Sequence, residues 1–165
     1  MPLTREINNS TGRGDRSTAT SCRWKASVGI EVGDLVYQVA ADGTEASAGA
    51  FTWDTDLATT QPLFKAVFRG VSNTKRLATD AVAATEAYGT ILTSGEFGFA
   101  CAALGSAVLP GAYVGPAKQA GNLLEPRLVV IVATAALAIG RVTEHAAIGD
   151  TVLYFNLLAT LGNSL

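Results

Sequence analysis

The chain has 165 residues, of which 48% are hydrophobic, enough to build one domain around a real core. Only 16% are charged, against roughly 25% in typical soluble domains, so burial against neighbouring molecules is expected. Two cysteines, Cys22 and Cys101, lie far apart and outside any metal-type spacing, so neither a disulfide framework nor a zinc site is indicated.

Residues 1–21 are rich in Asn, Ser, Thr and Gly and show no apolar period, which predicts an extended N-terminal arm ahead of a single β-rich domain at 22–165. No apolar secretory segment occurs between Met1 and Ser21. An arm of about twenty residues, extended at roughly 3.3 Å per residue, reaches about 65 Å, far enough to touch a neighbour. Residues 1–27 hold five cations (Arg5, Arg13, Arg16, Arg23 and Lys25) against two anions, a net +3. The remaining chain holds seven cations against twelve anions, a net −5, so a basic arm is set against an acidic body. Arg13, Gly14 and Asp15 spell a cell-adhesion tripeptide, which a Gly- and Ser-rich arm produces readily by chance.

From Trp24 onward, short apolar runs alternate with Gly, Asp and Pro. Leu35–Ala40 predicts the first clear strand, launched by a turn at Gly33 and Asp34 and closed by Asp42 and Gly43. Ala46–Ala50 reads as a small-residue loop and Phe51–Trp53 as a short strand or anchor. Gln61–Ala66 predicts one or two helical turns, with Pro62 tolerated at their start, leading into a strand over Val67–Ser72. Asn73–Ala84 reads as an exposed loop. Ile91 and Thr93, then Phe97, Phe99 and Cys101, alternate at period two like strands with one buried face, bent at Gly95 and Glu96.

Phe97–Ala117 is uncharged over a length that could span a bilayer as a helix. Its glycines and prolines, among them Gly105, Pro110, Gly111 and Pro116, break helices, so a membrane span is rejected. Tyr113 and Val114 predict a short strand between turn glycines. Leu128–Val132, five branched aliphatic residues, predicts a central strand buried on both faces. Leu137–Thr143 and Thr151–Leu158 complete what reads as a C-terminal meander. The expected class is therefore all-β with at most short helical turns, a barrel or sandwich, since strand–helix alternation is missing.

Catalytic chemistry finds few candidates. His145 is the lone histidine, and its neighbour Glu144 would point to the opposite face of a strand. Asp54 and Asp56 could face one side of a strand, yet calcium needs six to eight oxygen ligands and no EF-hand loop follows. The glycines at Gly12 and Gly14 lack the lysine and the strand–helix setting of a phosphate loop. The acidic body carries no aromatic-studded basic sheet, so nucleic acid is not an expected partner. What remains is a surface for other proteins, with no enzyme activity, cofactor or metal expected. The residues expected to touch partners are Arg5, Arg13, Arg16 and Arg23, together with Trp24 and Trp53 as aromatic anchors.

The ordered segments GDLVY (Gly33–Tyr37), FRGV (Phe68–Val71), TSGEFGFAC (Thr93–Cys101), GAYVG (Gly111–Gly115) and LAIGRV (Leu137–Val142) resemble the capsid decoration, or cement, proteins of tailed bacteriophages. The polar opening from Leu3 to Asp15 is similar to the N-terminal arm of such proteins, and the likeness runs from Gly33 to Leu158. The resemblance implies a β-tulip body that assembles as a homotrimer at three-fold and quasi-three-fold positions on the outer capsid surface. It implies the major capsid protein and sister subunits as partners, an arm that straps a neighbour, a virion location after synthesis in the host cytoplasm, and no catalytic residues. A stretch from Ala41 to Thr60, read as a long loop, departs from the simpler members of that family. A phage tail or host-surface module that binds glycans is the alternative.

Overall fold

The computed structural model describes residues 5–6, 18–39, 43–52, 56–79, 87–118 and 123–158. In chain order they form β1 (Arg5–Glu6), β2 (Ala19–Trp24), β3 (Leu35–Gln38), β4 (Glu45–Ser47), α1 (Leu57–Val67), β5 (Phe68–Ser72) and β6 (Ala87–Leu92). There follow β7 (Glu96–Cys101), β8 (Tyr113–Lys118), β9 (Leu124–Val132), β10 (Gly140–Val142) and β11 (Val152–Leu157). The expected all-β class with little helix holds. Alternation sets the strands: in β11, Leu153, Phe155 and Leu157 are buried while the residues between them are half-exposed.

Two closed circuits result. In the first ring, the order β2-β4-β3-β5-β6 returns to β2. All its pairings are antiparallel except β2–β4, which is parallel and holds only the register pair Trp24 and Glu45. That thin seam is reinforced by Glu45 itself. Its Oε2 accepts from the Arg23 N–H at 2.8 Å, its carbonyl accepts from the Lys25 N–H at 2.9 Å, and Arg69 Nε stands 3.5 Å from its Oε1.

The second ring runs β7-β11-β10-β8-β9 and closes where β9 returns to β7 in parallel, through Ala100 with Leu128 and Cys101 with Val129. β1 lies antiparallel on the same margin of β7, at Phe97 and Gly98. Gly95, at φ 123°, makes the bend by which the chain leaves β6 of one ring and enters β7 of the other.

One core joins the rings. Leu35, Phe68, Val71 and Leu92 of the first ring and Phe97, Phe99, Leu153 and Phe155 of the second belong to the same buried cluster, with Phe64 of α1 between them. Phe64 stacks edge-on to Phe51 at 5.2 Å and tilts against Phe68 at 5.7 Å. A smaller cluster of Cys22, Trp24, Ile30, Val36 and Ile91 fills the first ring alone.

Several expectations are corrected. The helix begins four residues earlier than the sequence implied, because Asp56 caps it by accepting from the Thr59 N–H at 2.7 Å. Pro62 therefore sits inside the helix rather than at its start, and burial of Phe64 and the Gln61 Nε2 bond to the Pro116 carbonyl, 3.0 Å, hold that turn in place. The stretch 41–60 contains β4, a 3-10 turn at Ala48–Ala50 and the first turn of α1.

Leu128–Val132 is not buried on both faces: Val129 and Val132 are buried, while Leu128, Val130 and Ile131 are half-exposed. The C-terminal strands do not form a simple meander either. β10 lies between β11 and β8, and β9 lies beyond β8, while of the strand expected over Leu137–Thr143 only Gly140–Val142 forms, Leu137 closing a 3-10 turn. At the N-terminal end, β2 starts at Ala19, and Arg5–Glu6 pairs with the chain's own β7.

Candidate interaction surface

The expected contact residues do not converge. Arg5 lies on β1 beside β7, and Arg23 is half-buried on β2. Arg13, Arg16 and Trp53 fall outside the described residues. Trp24 is a correction: it is 0% exposed, enclosed in the first ring, so it serves the core and has no surface to offer a partner. A tryptophan beside charged residues looked like an anchor, but the β6 strand that covers it is distant in sequence.

The surface instead presents side chains that sequence reasoning passed over. Tyr88 on β6 is 81% exposed and sits across from Arg23 in the β2–β6 register. At the far end of the second ring, Leu109 is 67% and Ile148 70% exposed. They stand on two loops, one between β7 and β8 and one between β10 and β11. Backbone bonds zip these loops together. The Val108 and Ala146 main chains exchange bonds of 2.8 and 3.0 Å, Leu104 N–H donates to the Asp150 carbonyl at 3.0 Å, and Gly149 N–H donates to Leu104 at 2.8 Å.

The loop from Ala102 to Ala112 carries no charge, and its Ala102, Ala103, Ala107 and Pro110 are exposed. Beside it a cavity of about 250 Å³ is lined by Cys101, Leu104, Val108, Val129 and Ile131. The β7–β8 loop thus gives this end an uncharged, apolar surface held by main-chain bonds, flanked on the β10–β11 loop by exposed Glu144, His145 and Asp150. Its signal in the sequence was the uncharged run from Phe97 to Ala117, which had served only to weigh a membrane span. That run folds as β7, a loop and β8, and no helix among the described residues is long and apolar enough to cross a membrane.

Glu144 and His145 are both exposed on the β10–β11 loop. Asp54 lies outside the described residues, and Asp56 is committed to capping α1, where the Thr59 N–H holds its carboxyl below the ordinary range. Among the described residues no three His, Cys, Asp or Glu side chains are grouped to hold a metal. Both cysteines are free and buried. Burial, aided by the Glu45 carboxylate, pushes the Cys22 thiol up to about 12, which removes it from thiolate chemistry.

No protein-family model matches the chain, and no curated protein does. Among solved structures, the N base of head fiber gp8.5 of bacteriophage phi29 is similar over 86% of this chain and 96% of that one, at 11% identity and a TM-score of 0.40.

Proposed function

We propose that this chain is a non-catalytic structural protein of a tailed-phage particle, a decoration protein that docks as a homotrimer on the outer capsid surface and reinforces it. The reading is carried by the end of the second ring, where Leu109 and Ile148 stand exposed on mutually bonded loops and the β7–β8 loop carries no charge. A surface already held in one conformation loses little entropy when it docks. The ordered segments from GDLVY to LAIGRV supply the capsid as the partner, through their resemblance to decoration proteins.

The basic segment supplies a second contact. Ahead of β2 the arm holds three cations against two anions, a net +1, while the chain from Ala19 onward is net −3, so the arm of one copy is drawn to the body of the next. Docking of the apolar end and strapping by the arm then reinforce each other, because linked weak contacts multiply through effective concentration. Neither contact requires a cofactor, a metal, a nucleic acid or a membrane.

Mixing the purified chain with undecorated capsids tests the proposal. Saturable, stoichiometric binding and a raised capsid disruption temperature are expected, with three-fold density on the outer surface by cryo-microscopy. Absence of binding across a range of salt overturns it, and density on a tail or receptor-binding structure favours the tail-module alternative. Removal of residues 1–17, all of them ahead of β2, should leave the first ring closed and weaken capsid association.

A further inference from the structure

A second cavity, of about 480 Å³, opens where the loop between β2 and β3 meets the 3-10 turn after β4 and the start of β9. Its apolar wall includes Val28, Ile30 and Pro126, and its charged lining is Glu31, Asp34, Arg76 and Arg127. Three of these four charges have opposite partners: Arg127 Nε lies 3.4 Å from Asp34 Oδ1, and Lys75 Nζ lies 3.3 Å from Glu31 Oε2.

Arg76 differs. It is 6% exposed, and its Nη2 donates to the carbonyls of Lys25 and Val28, while Nε and Nη1 have no hydrogen-bond partner and are closed to bulk water. A buried guanidinium is always charged, and leaving it without a counter-charge or full hydrogen bonding is costly. The cavity therefore carries one uncompensated positive charge beside an apolar wall. The lip next to Arg76 is formed by exposed Leu77 and Ala78.

We propose that this cavity binds an organic carboxylate, its charge set against Arg76 and its body against Val28, Ile30 and Pro126. A carboxylate supplies one negative charge, which offsets the one cation of the lining that has no counter-charge. The bound group would also tie the first ring to β9 of the second, since both contribute walls.

Titration of the full chain with sodium benzoate, followed by backbone amide NMR, tests this. Benzamide serves as the neutral isostere, and sodium chloride holds ionic strength constant. Benzoate should shift the amides of Val28–Glu31 and Arg76–Ala78 saturably, with no such change from benzamide or chloride. N-acetylglutamate amide, a stand-in for an acidic side chain of a partner protein, separates the two sources of the group. Tighter binding of benzoate indicates a free small molecule, and tighter binding of the glutamate derivative indicates a protein side chain.

Arg76→Gln should weaken binding roughly tenfold or more, because it removes the charge that attracts the carboxylate. Gly29→Leu provides a variant that leaves the guanidinium in place. A β-carbon at Gly29 meets only ordinary contacts, the nearest at 3.6 Å, so the longer side chain should enter the cavity and abolish the benzoate shifts while the fold remains. Equal shifts from benzoate and benzamide, no saturable shift, or unaltered binding in folded Gly29→Leu would each overturn the proposal.

Discussion

Gly89 lies flat against Trp24: a β-carbon built at Gly89 would fall 2.0 Å from the indole Nε1, closer than any packing permits. The two residues come from adjacent strands, where Cys22 pairs with Gly89 and Trp24 with Ala87. Glycine at this position leaves room for a full tryptophan inside a small ring. Gly89→Ala should therefore destabilise the fold by about 1–3 kcal/mol, as overpacking of a filled core does. Urea denaturation measures the loss, and adding Trp24→Phe should recover part of it if the indole is what the methyl meets.

Glu45 holds the one-pair seam between β2 and β4, so its charge matters beyond its own burial. Its side chain is 5% exposed and that of Arg69 17%. Glu45→Ala removes the acceptor for the Arg23 N–H and one member of a buried ion pair. A loss of about 3–5 kcal/mol is expected, the range for breaking such a pair from one side. Hydrogen exchange should show the greatest loss of protection in β2 and β4, whereas the amides of β7 and β11 should change less.

Asp34 gives the stability an acid-range signature. Burial raises its carboxyl above the ordinary 3.8, against the opposing pull of the Glu31 N–H, Ser47 and Arg127. The folded protein thus keeps this proton to higher pH than the unfolded chain does. Its contribution is full below the unfolded value and declines as pH rises through the folded one. The exposed cap Asp56, whose carboxyl is held low, acts in the opposite sense and loses its contribution as pH falls. Asp34→Asn should remove the decline, read by urea midpoints from about pH 3 to about pH 7 against the parent chain.

The paired loops of the second ring predict a separation of folding from docking. Leu109→Asp and Ile148→Asp place charge on side chains that are already 67% and 70% exposed, so stability should change by no more than about 0.5 kcal/mol. Capsid binding, measured by co-sedimentation with undecorated particles, should fall for each variant and further for the pair. Unaltered binding of the double variant would remove this end of the molecule from the contact.

Local features of the sequence translated into structure where they depend on neighbours along the chain. Phe97, Phe99 and Cys101 alternate, and all three are buried, because a strand's two faces are fixed by period two. Gly33 turns at φ 91° ahead of β3 for a similarly local reason. Features that depend on distant pairing were not legible. The half-exposure of Leu128 and Val130 follows from where β9 sits between β8 and β7, and no property of five aliphatic residues encodes that position. The start of α1 was hidden because Thr59 and Thr60 interrupt the apolar pattern, although Asp56 ahead of them was a readable cap. Of the expected contact surface, Trp24 turned inward, and the exposed end with Leu109 and Ile148 emerged only when two loops far apart in sequence were brought together.

Both strand circuits return on themselves, and β1 covers part of the remaining margin of β7. Among the described residues, few rows of main-chain donors and acceptors are left to template another chain, the usual route by which β proteins polymerise. Copies that meet in solution are left with side-chain contacts, which are reversible and individually weak.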